Sequence, residues 1–267
     1  MPTVHELYEL WAGDAELRDA LTRSLGPRGT DWLFEVFAEL GPQPGDVVLD
    51  AGSRDAVHAI RLVREHGVRA IALDPLPLHA ELAHEKIAAA ALADRIDVVE
   101  GAIESIPLPD GSVDWVWCRD VLVHVDAQRG LAELARVLRP GGAIVAYVTV
   151  ATDRLEPEEA ASLRGAAALT DDGFDAGRLE AAAADAGLAV RSVERLGSEW
   201  RERMIEDGAW NPTDDLLAIA RLNRDRRELV DQYGPAAVAA AEGGLLWGIY
   251  QLLGKLCPTV FVWERRG

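Results

Sequence analysis

The sequence predicts an α/β fold: a parallel sheet with helices on both faces and an added helical segment near the C-terminus. Three observations predict it. Short apolar runs alternate with stretches of helical spacing from residue 47 to residue 195, the signature of strand–helix–strand units with right-handed crossovers. The first run, Val47-Val48-Leu49-Asp50, ends in an acid and passes into Ala51-Gly52-Ser53, as a buried strand does when it enters a tight turn. Finally, about 60 residues of helical spacing separate the last two apolar runs, far more than a crossover needs.

Taken in order, residues 4–24 carry Leu7, Leu10, Trp11, Leu17 and Leu21 at helical spacing, until Gly26-Pro27-Arg28-Gly29 breaks the pattern. Thr30 or Asp31 is the expected cap of a helix over 32–40, with Leu33, Val36, Phe37 and Leu40 on its apolar face. A strand over 47–49 leads through the glycine turn into a helix over 56–65. A strand over 69–73 follows, ending at Asp74. A helix over 78–92 and a strand over 96–99 come next. Residues 100–112 read as a loop because of Pro107, Pro109 and Asp110-Gly111. The spacing then predicts a strand over 113–118, a loop and helix start over 119–125, and a helix over 131–138 stopped by Arg139-Pro140-Gly141-Gly142. A strand over 143–150 precedes a helix within 171–187, capped by Asp175 and stopped by Gly187. The sixth strand is 188–195 and the last is 259–263. Between those two, Leu216 to Tyr233 fits one helix and Leu245 to Leu253 another.

Composition narrows the function classes. The chain has 267 residues, 49% of them apolar, enough for one large domain with an inserted cap. Its net charge of −18 repels nucleic-acid phosphates and anionic lipid. No apolar run reaches the ~18 residues that span a bilayer. The start, Met1-Pro2-Thr3-Val4-His5-Glu6, does not read as a signal peptide. Cys118 and Cys257 have no metal-ligand or disulfide spacing, so a reducing cytoplasm is the simplest setting. No His/Asp/Glu cluster stands at ligand spacing, and no metal is expected.

The first strand–turn–helix–strand unit is a candidate nucleoside site. Gly52 lets backbone approach a ligand where a Cβ would stand in the way. Asp74, at the end of the second strand and roughly 20 residues on, is placed to accept from a ribose diol. A three-glycine loop would place Gly at 54 and 56, where this chain has Arg54 and Ala56. That argues against a close pyrophosphate fit and is less hostile to a ligand without phosphate. A plain structural turn is the alternative.

Later text adds Gly-x-x-Glu-x-x-Pro-x-Pro-Asp-Gly-Ser-x-Asp over 101–114, Cys-Arg-Asp-Val-Leu-Val-His-Val over 118–125, and Leu-x-Glu-x-x-Arg-Val-Leu-Arg-Pro-Gly-Gly over 131–142. In this joint order the chain resembles the class I S-adenosylmethionine-dependent methyltransferases, specifically the small-molecule branch related to the ubiquinone and sterol methyltransferases. The resemblance covers roughly residues 45–197. It implies a Rossmann-like, doubly wound sheet of seven strands, the last antiparallel, and S-adenosylmethionine as cofactor. It implies that Gly52, Ser53 and Arg54 approach the methionine part and that Asp74, with Pro75 beside it, takes the ribose. Ala102 and Ile103 would flank the adenine, and Arg119 to Val121 would lie beside the sulfonium. The family usually has Asp at the position of Ala102, an acceptor for the adenine amine.

The expected reaction moves a methyl group to a small-molecule acceptor. The alternatives are a non-methylating cyclase or a cofactor-binding protein on the same fold. The cofactor carries the reactive group, and the protein aligns the acceptor. His124 follows the fourth strand near the expected methyl position and is the candidate base, with Asp120 beside it. A helix-start role for His124 and a loop-holding role for Asp120 are the alternatives. Tyr8 and Trp11 on the first helix, and Trp200, Trp247 and Tyr250 in the inserted helices, suit a flat or apolar acceptor. Core packing would equally explain them. The expected organisation is N-terminal helices over the cofactor in 1–44, the cofactor-binding core in 45–197, a helical lid in 198–257, and a final core strand in 258–267. Small molecules are the expected partners, and the chain is expected to be a monomer or a homodimer.

Overall fold

A computed structural model of the chain describes residues 2–266; the side chains of Trp11 and Ala12 lie outside what it describes. Seven strands form one sheet: β1 (Val47–Ala51), β2 (Arg69–Asp74), β3 (Ile96–Glu100), β4 (Val113–Arg119), β5 (Leu138–Ala151), β6 (Leu188–Arg195) and β7 (Leu256–Arg265). Their spatial order is β3-β2-β1-β4-β5-β7-β6. The first five pair in parallel, and β7 enters antiparallel between β5 and β6. The class read from the alternation and the antiparallel last strand implied by the resemblance are both present.

The helices are α1 (Val4–Gly13), α2 (Ala15–Thr22), α3 (Thr30–Glu39), α4 (Val57–His66), α5 (Pro77–Ala89), α6 (Ala127–Val137), α7 (Pro157–Ala167), α8 (Ala176–Asp185), α9 (Glu199–Glu206), α10 (Pro212–Tyr233) and α11 (Pro235–Leu252). The central strands are buried on both faces, so they read as unbroken apolar runs. On one face Leu49, Val116, Cys118, Ile144 and Ala146 pack under α6 and α8. On the other, Val48, Trp117, Val145 and Tyr147 pack under α3 and α4 around Phe34 and Phe37.

Five readings of the chain change. The segment 4–24 is two helices, because Asp14 leaves the helical conformation (φ −101°, ψ 69°) and caps α2 by accepting from Leu17 N at 2.8 Å. The cap of α3 is Gly29, with no side-chain bond to the helix; Thr30 is already helical, and Asp31 instead binds Arg61 at 2.5 Å. Helix α7 leaves no periodic signal because its apolar stripe is weak: Leu163 is its only buried residue, and a Glu156–Glu159 capping box starts it. Helix α9 was passed over because Trp200 alone is buried in it. Strand β5 also begins earlier than its apolar run. Its pairing with β4 breaks between Val113 and Trp115, where Gly141-Gly142 sits. A Cβ on Gly142 would collide with Asp114 O and the Leu138 side chain.

Between β6 and β7 the chain inserts α9, α10 and α11, with α11 lying against α7 and the start of β7. Among the described residues no helix is long and apolar enough to cross a membrane. Cys118 and Cys257 are buried free thiols.

Candidate active site

At the carboxyl end of β1 the chain turns through three left-handed residues: Gly52 (φ 76°), Arg54 (φ 51°) and Ala56 (φ 59°). Arg54 and Ala56 hold a conformation that suits glycine, at a cost of about 1–2 kcal/mol each. The turn is pinned to the neighbouring strand, since Gly52 N and Ser53 N both donate to Leu73 O, at 2.8 and 3.0 Å. The left-handed kink aims Arg54 N at Asp74 Oδ2, 3.0 Å away. The Arg54 side chain is exposed, and Ser53 is buried.

Asp74 is itself buried. Its Oδ1 accepts from Leu76 N at 3.0 Å and contacts His79 Nδ1 at 2.8 Å. Oδ2 has Arg54 N as its single partner, so a carboxylate lone pair remains for a hydroxyl donor. Pro75 and Ala102 are exposed on either side, whereas Ile103 is buried in the core beside Gly130 of α6. An acid clasped by main-chain amides at a strand end thus keeps one acceptor direction open to a hydroxyl donor.

Asp50 lies beneath the turn and was left without a role by sequence reasoning, although an acid directly before the glycine turn was the available signal. It is fully buried, accepts from Ala59 N at 3.0 Å, and so ties β1 to the first turn of α4. Burial pushes its carboxyl up to about 7, with the charges of Asp55 and Asp74 adding to the effect.

The atom that comes up against Gly52 belongs to this chain: a Cβ there would collide with Val121 Cγ2. Val121 follows β4 in the loop that also carries Arg119, Asp120 and His124. Asp120 is left-handed (φ 53°), and its Oδ1 accepts from both the amide and the hydroxyl of Thr149, each at 3.1 Å. It thereby ties the end of β4 to β5, and burial raises its carboxyl above the usual carboxylate range. His124 ends a 3₁₀ turn over Leu122–His124 and is exposed, with Nδ1 3.4 Å from Ala168 O. With the proton on Nδ1, Nε2 keeps its lone pair.

Beside this loop lies a cavity of about 370 Å³ lined by Asp120, Val123, His124, Leu169, Gly243 and Trp247, among others. Trp247 faces Phe174 nearly parallel, with centroids 6.2 Å apart. Tyr250 is half-buried one turn on, next to Lys255, and burial with the nearby Glu159 raises its hydroxyl to about 12. Trp200 is buried against Tyr147 (4.7 Å between centroids). Arg119 stands over both rings and bonds His58 Nε2 at 2.9 Å. Burial and the adjacent guanidinium lower His58 to about 4, so it stays neutral.

Sequence reasoning placed Asp120, His124 and Trp247 at one site, and the fold brings these three to one cavity. Tyr8 sits exposed on α1, and the side chain of Trp11 lies outside the described residues. Among the described residues no group of three or more His, Cys, Asp or Glu is arranged to hold a metal.

Residues 49–146 match the family model described as a methyltransferase domain. An uncharacterized methyltransferase of Mycobacterium tuberculosis is 37% identical over 119 residues, which is 45% of this chain and 43% of that protein. The chain spans about half the length of the curated relatives it matches. Among solved structures, a putative sarcosine dimethylglycine methyltransferase from Galdieria sulphuraria superposes with a TM-score of 0.67 at 23% identity, covering 88% of this chain and 84% of that one. The [4+2]-cyclase SpnF superposes at 0.65 with 21% identity, covering 88% and 80%. Residues 49–146 of this chain therefore match a methyltransferase domain in sequence, and the chain shares the α/β fold of these solved structures.

Proposed function

We propose that this protein moves a methyl group from S-adenosylmethionine to a small-molecule acceptor. The observation that carries the reading is a shared wall. The loop after β4 packs Val121 on the glycine turn and presents Asp120 and His124 to the 370 Å³ cavity, so nucleoside site and acceptor cavity adjoin. When bound, the cofactor supplies an activated methyl group on a sulfonium. Asp74 holds the ribose, with Pro75 and Ala102 at the rim of the nucleoside site; Ser53, Arg54 and Gly52 line the path to the amino-acid end.

Asp120 fixes the β4–β5 edge, and His124 Nε2 takes a proton from the acceptor if the acceptor must lose one. Trp247 gives a flat apolar wall, and α11 with α10 closes the acceptor side. The fold works as a monomer or a homodimer, in a reducing compartment such as the cytoplasm.

A second reading keeps the fold and drops the transfer. It is favoured by the L-residues on the left-handed positions 54 and 56, and by the likeness in fold to a cyclase. Calorimetry with S-adenosylmethionine decides between them. The transferase reading expects binding that weakens about tenfold to a hundredfold in Asp74→Ala, the worth of a hydrogen bond to a charged group. No binding at millimolar cofactor sinks it. Tight binding without turnover on a broad acceptor panel favours the second reading.

A further inference from the structure

The chain carries 45 acids against 27 Lys and Arg, and its half-buried guanidiniums are paired almost throughout. Arg28, Arg61, Arg136 and Arg164 each hold a carboxylate. Arg95 and Arg265 hold backbone carbonyls. Among the described residues Arg119 and Arg201 bond neither a carboxylate nor a backbone carbonyl. Arg119 bonds neutral His58 and stands over two ring faces, with Asp120 acting on it electrostatically but not bonded to it. Arg201 has the Gln251 amide oxygen at 2.6 Å, the Met204 sulfur at 3.6 Å, and the face of Trp210 at 5.0 Å. A half-buried cation without a bonded counter-ion is costly, and two together are costlier.

These two are together. Arg119 Cζ lies 5.6 Å from the Trp200 ring, and Arg201 is the next residue along α9. Both charges act on the buried Tyr147 beneath them, and each opposes the other. Asp120 and Asp215 act on Arg201 from a distance, and neither carboxylate is bonded to it: Asp120 Oδ1 accepts from Thr149, and Asp215 Oδ2 from Trp210 Nε1 at 2.9 Å. Helix α11 makes room for the second guanidinium: a Cβ on Gly248 would stand 3.2 Å from Arg201 Cζ and 2.9 Å from Trp210. Gln251, buried on the same helix, turns its oxygen to Arg201 Nε and fixes the fork.

We propose that Arg119 and Arg201 are an anion-binding pair that selects an acceptor bearing a carboxylate. Arg119 ends β4, one residue from Asp120, Arg201 reaches it from α9, and a planar guanidinium fork matches a carboxylate bidentately. The proposal rests on the transferase reading for the word acceptor, whereas the anion preference itself does not.

Benzoate and benzamide are probes of one shape that differ in charge. Calorimetry on the full chain, saturated with S-adenosylhomocysteine, is expected to give benzoate at least tenfold tighter binding than benzamide. Arg201→Met is expected to erase that preference while changing the S-adenosylhomocysteine affinity less than twofold. Benzoate binding no tighter than benzamide in the unmodified chain, including no binding of either, overturns the proposal and needs no variant to fold. So does an Arg201→Met variant that weakens S-adenosylhomocysteine but not methylthioadenosine, which lacks the carboxylate; the pair would then serve the cofactor's own amino-acid end. If S-adenosylhomocysteine does not bind at all, the transferase reading fails, and the same benzoate comparison on the free protein still decides the pair.

Discussion

At the nucleoside end of the sheet edge, main-chain amides do the holding: Arg54 N and Leu76 N clasp Asp74, and Ala59 N clasps Asp50. At the β4–β5 end, side chains do it, drawn from the loop after β4, from the stretch beyond α7, and from α11. The first end is built from a single stretch, residues 47–76. The second joins residues more than 120 positions apart, such as Asp120 and Trp247. A site made of local backbone tolerates side-chain change as long as its dihedral angles survive. Arg54 and Ala56 are the example, keeping left-handed geometry without glycine. A site made of distant side chains depends on each one, and its specificity is set there.

Substitutions can break or sharpen that contrast, and the largest effect belongs to the acceptor end. His124→Ala is expected to lower turnover about 10²- to 10⁴-fold, the range for a lost general base, with cofactor affinity unchanged by calorimetry. An unchanged turnover would make His124 a helix-start residue and leave the acceptor without a base from this chain.

At the nucleoside end the strongest lever is pH. The Asp50 carboxyl keeps its proton to about pH 7 in the fold, whereas the unfolded chain releases it near pH 4. Its contribution is therefore complete below the unfolded value and is lost as pH rises through 7, a change on the order of 4 kcal/mol. Asp50→Asn keeps an acceptor for Ala59 N and removes the titration. Its melting temperature is expected to fall less than that of the parent chain between pH 5 and pH 8. Parallel profiles would show that Asp50 is not the group responsible.

Gly52→Ala tests whether the two ends share a wall. The new Cβ meets Val121 at a left-handed position, so strain and overpacking together predict a loss of about 2–4 kcal/mol in urea unfolding. Gly52→Ala with Val121→Ala is expected to recover part of it. A double variant no more stable than the single one would remove Val121 from the contact. The smallest effect is the reverse exchange: Arg54→Gly relieves the left-handed residue but frees the unfolded chain. The balance is a gain of about 0.5–1 kcal/mol, readable as a rise in the urea midpoint. A loss there would mean that the Arg54 side chain contributes packing or charge to the turn.

The contrast also explains what could be read from the chain beforehand. The run Val47 to Ala51, the acid before Gly52 and the acid ending β2 are local patterns, so the turn at the end of β1 and its facing acid were visible almost residue by residue. Asp50 escaped only because its role lies in bonding Ala59, nine residues on. Helices α7 and α9 escaped because each buries a single large side chain, too little for a periodic signal. Trp200 was placed with Trp247 as acceptor-facing by residue type alone. The fold gives Trp247 the cavity wall and packs Trp200 beneath Arg119, because α9 turns it onto Tyr147.

By itself, then, the order of apolar runs, turns and acids determined a parallel α/β sheet, the helical insert before the last strand and a glycine turn facing an acid at β1, since each depends on contacts within a few tens of residues. Only the tertiary structure decided that Val121 would cover Gly52, that His124 and Trp247 would face one cavity, and that Arg119 and Arg201 would meet with no carboxylate bonded to either. Those pairings join segments whose separation carries no periodic trace, and they exist only once β7 has inserted between β5 and β6 and drawn α9 and α11 over the sheet edge.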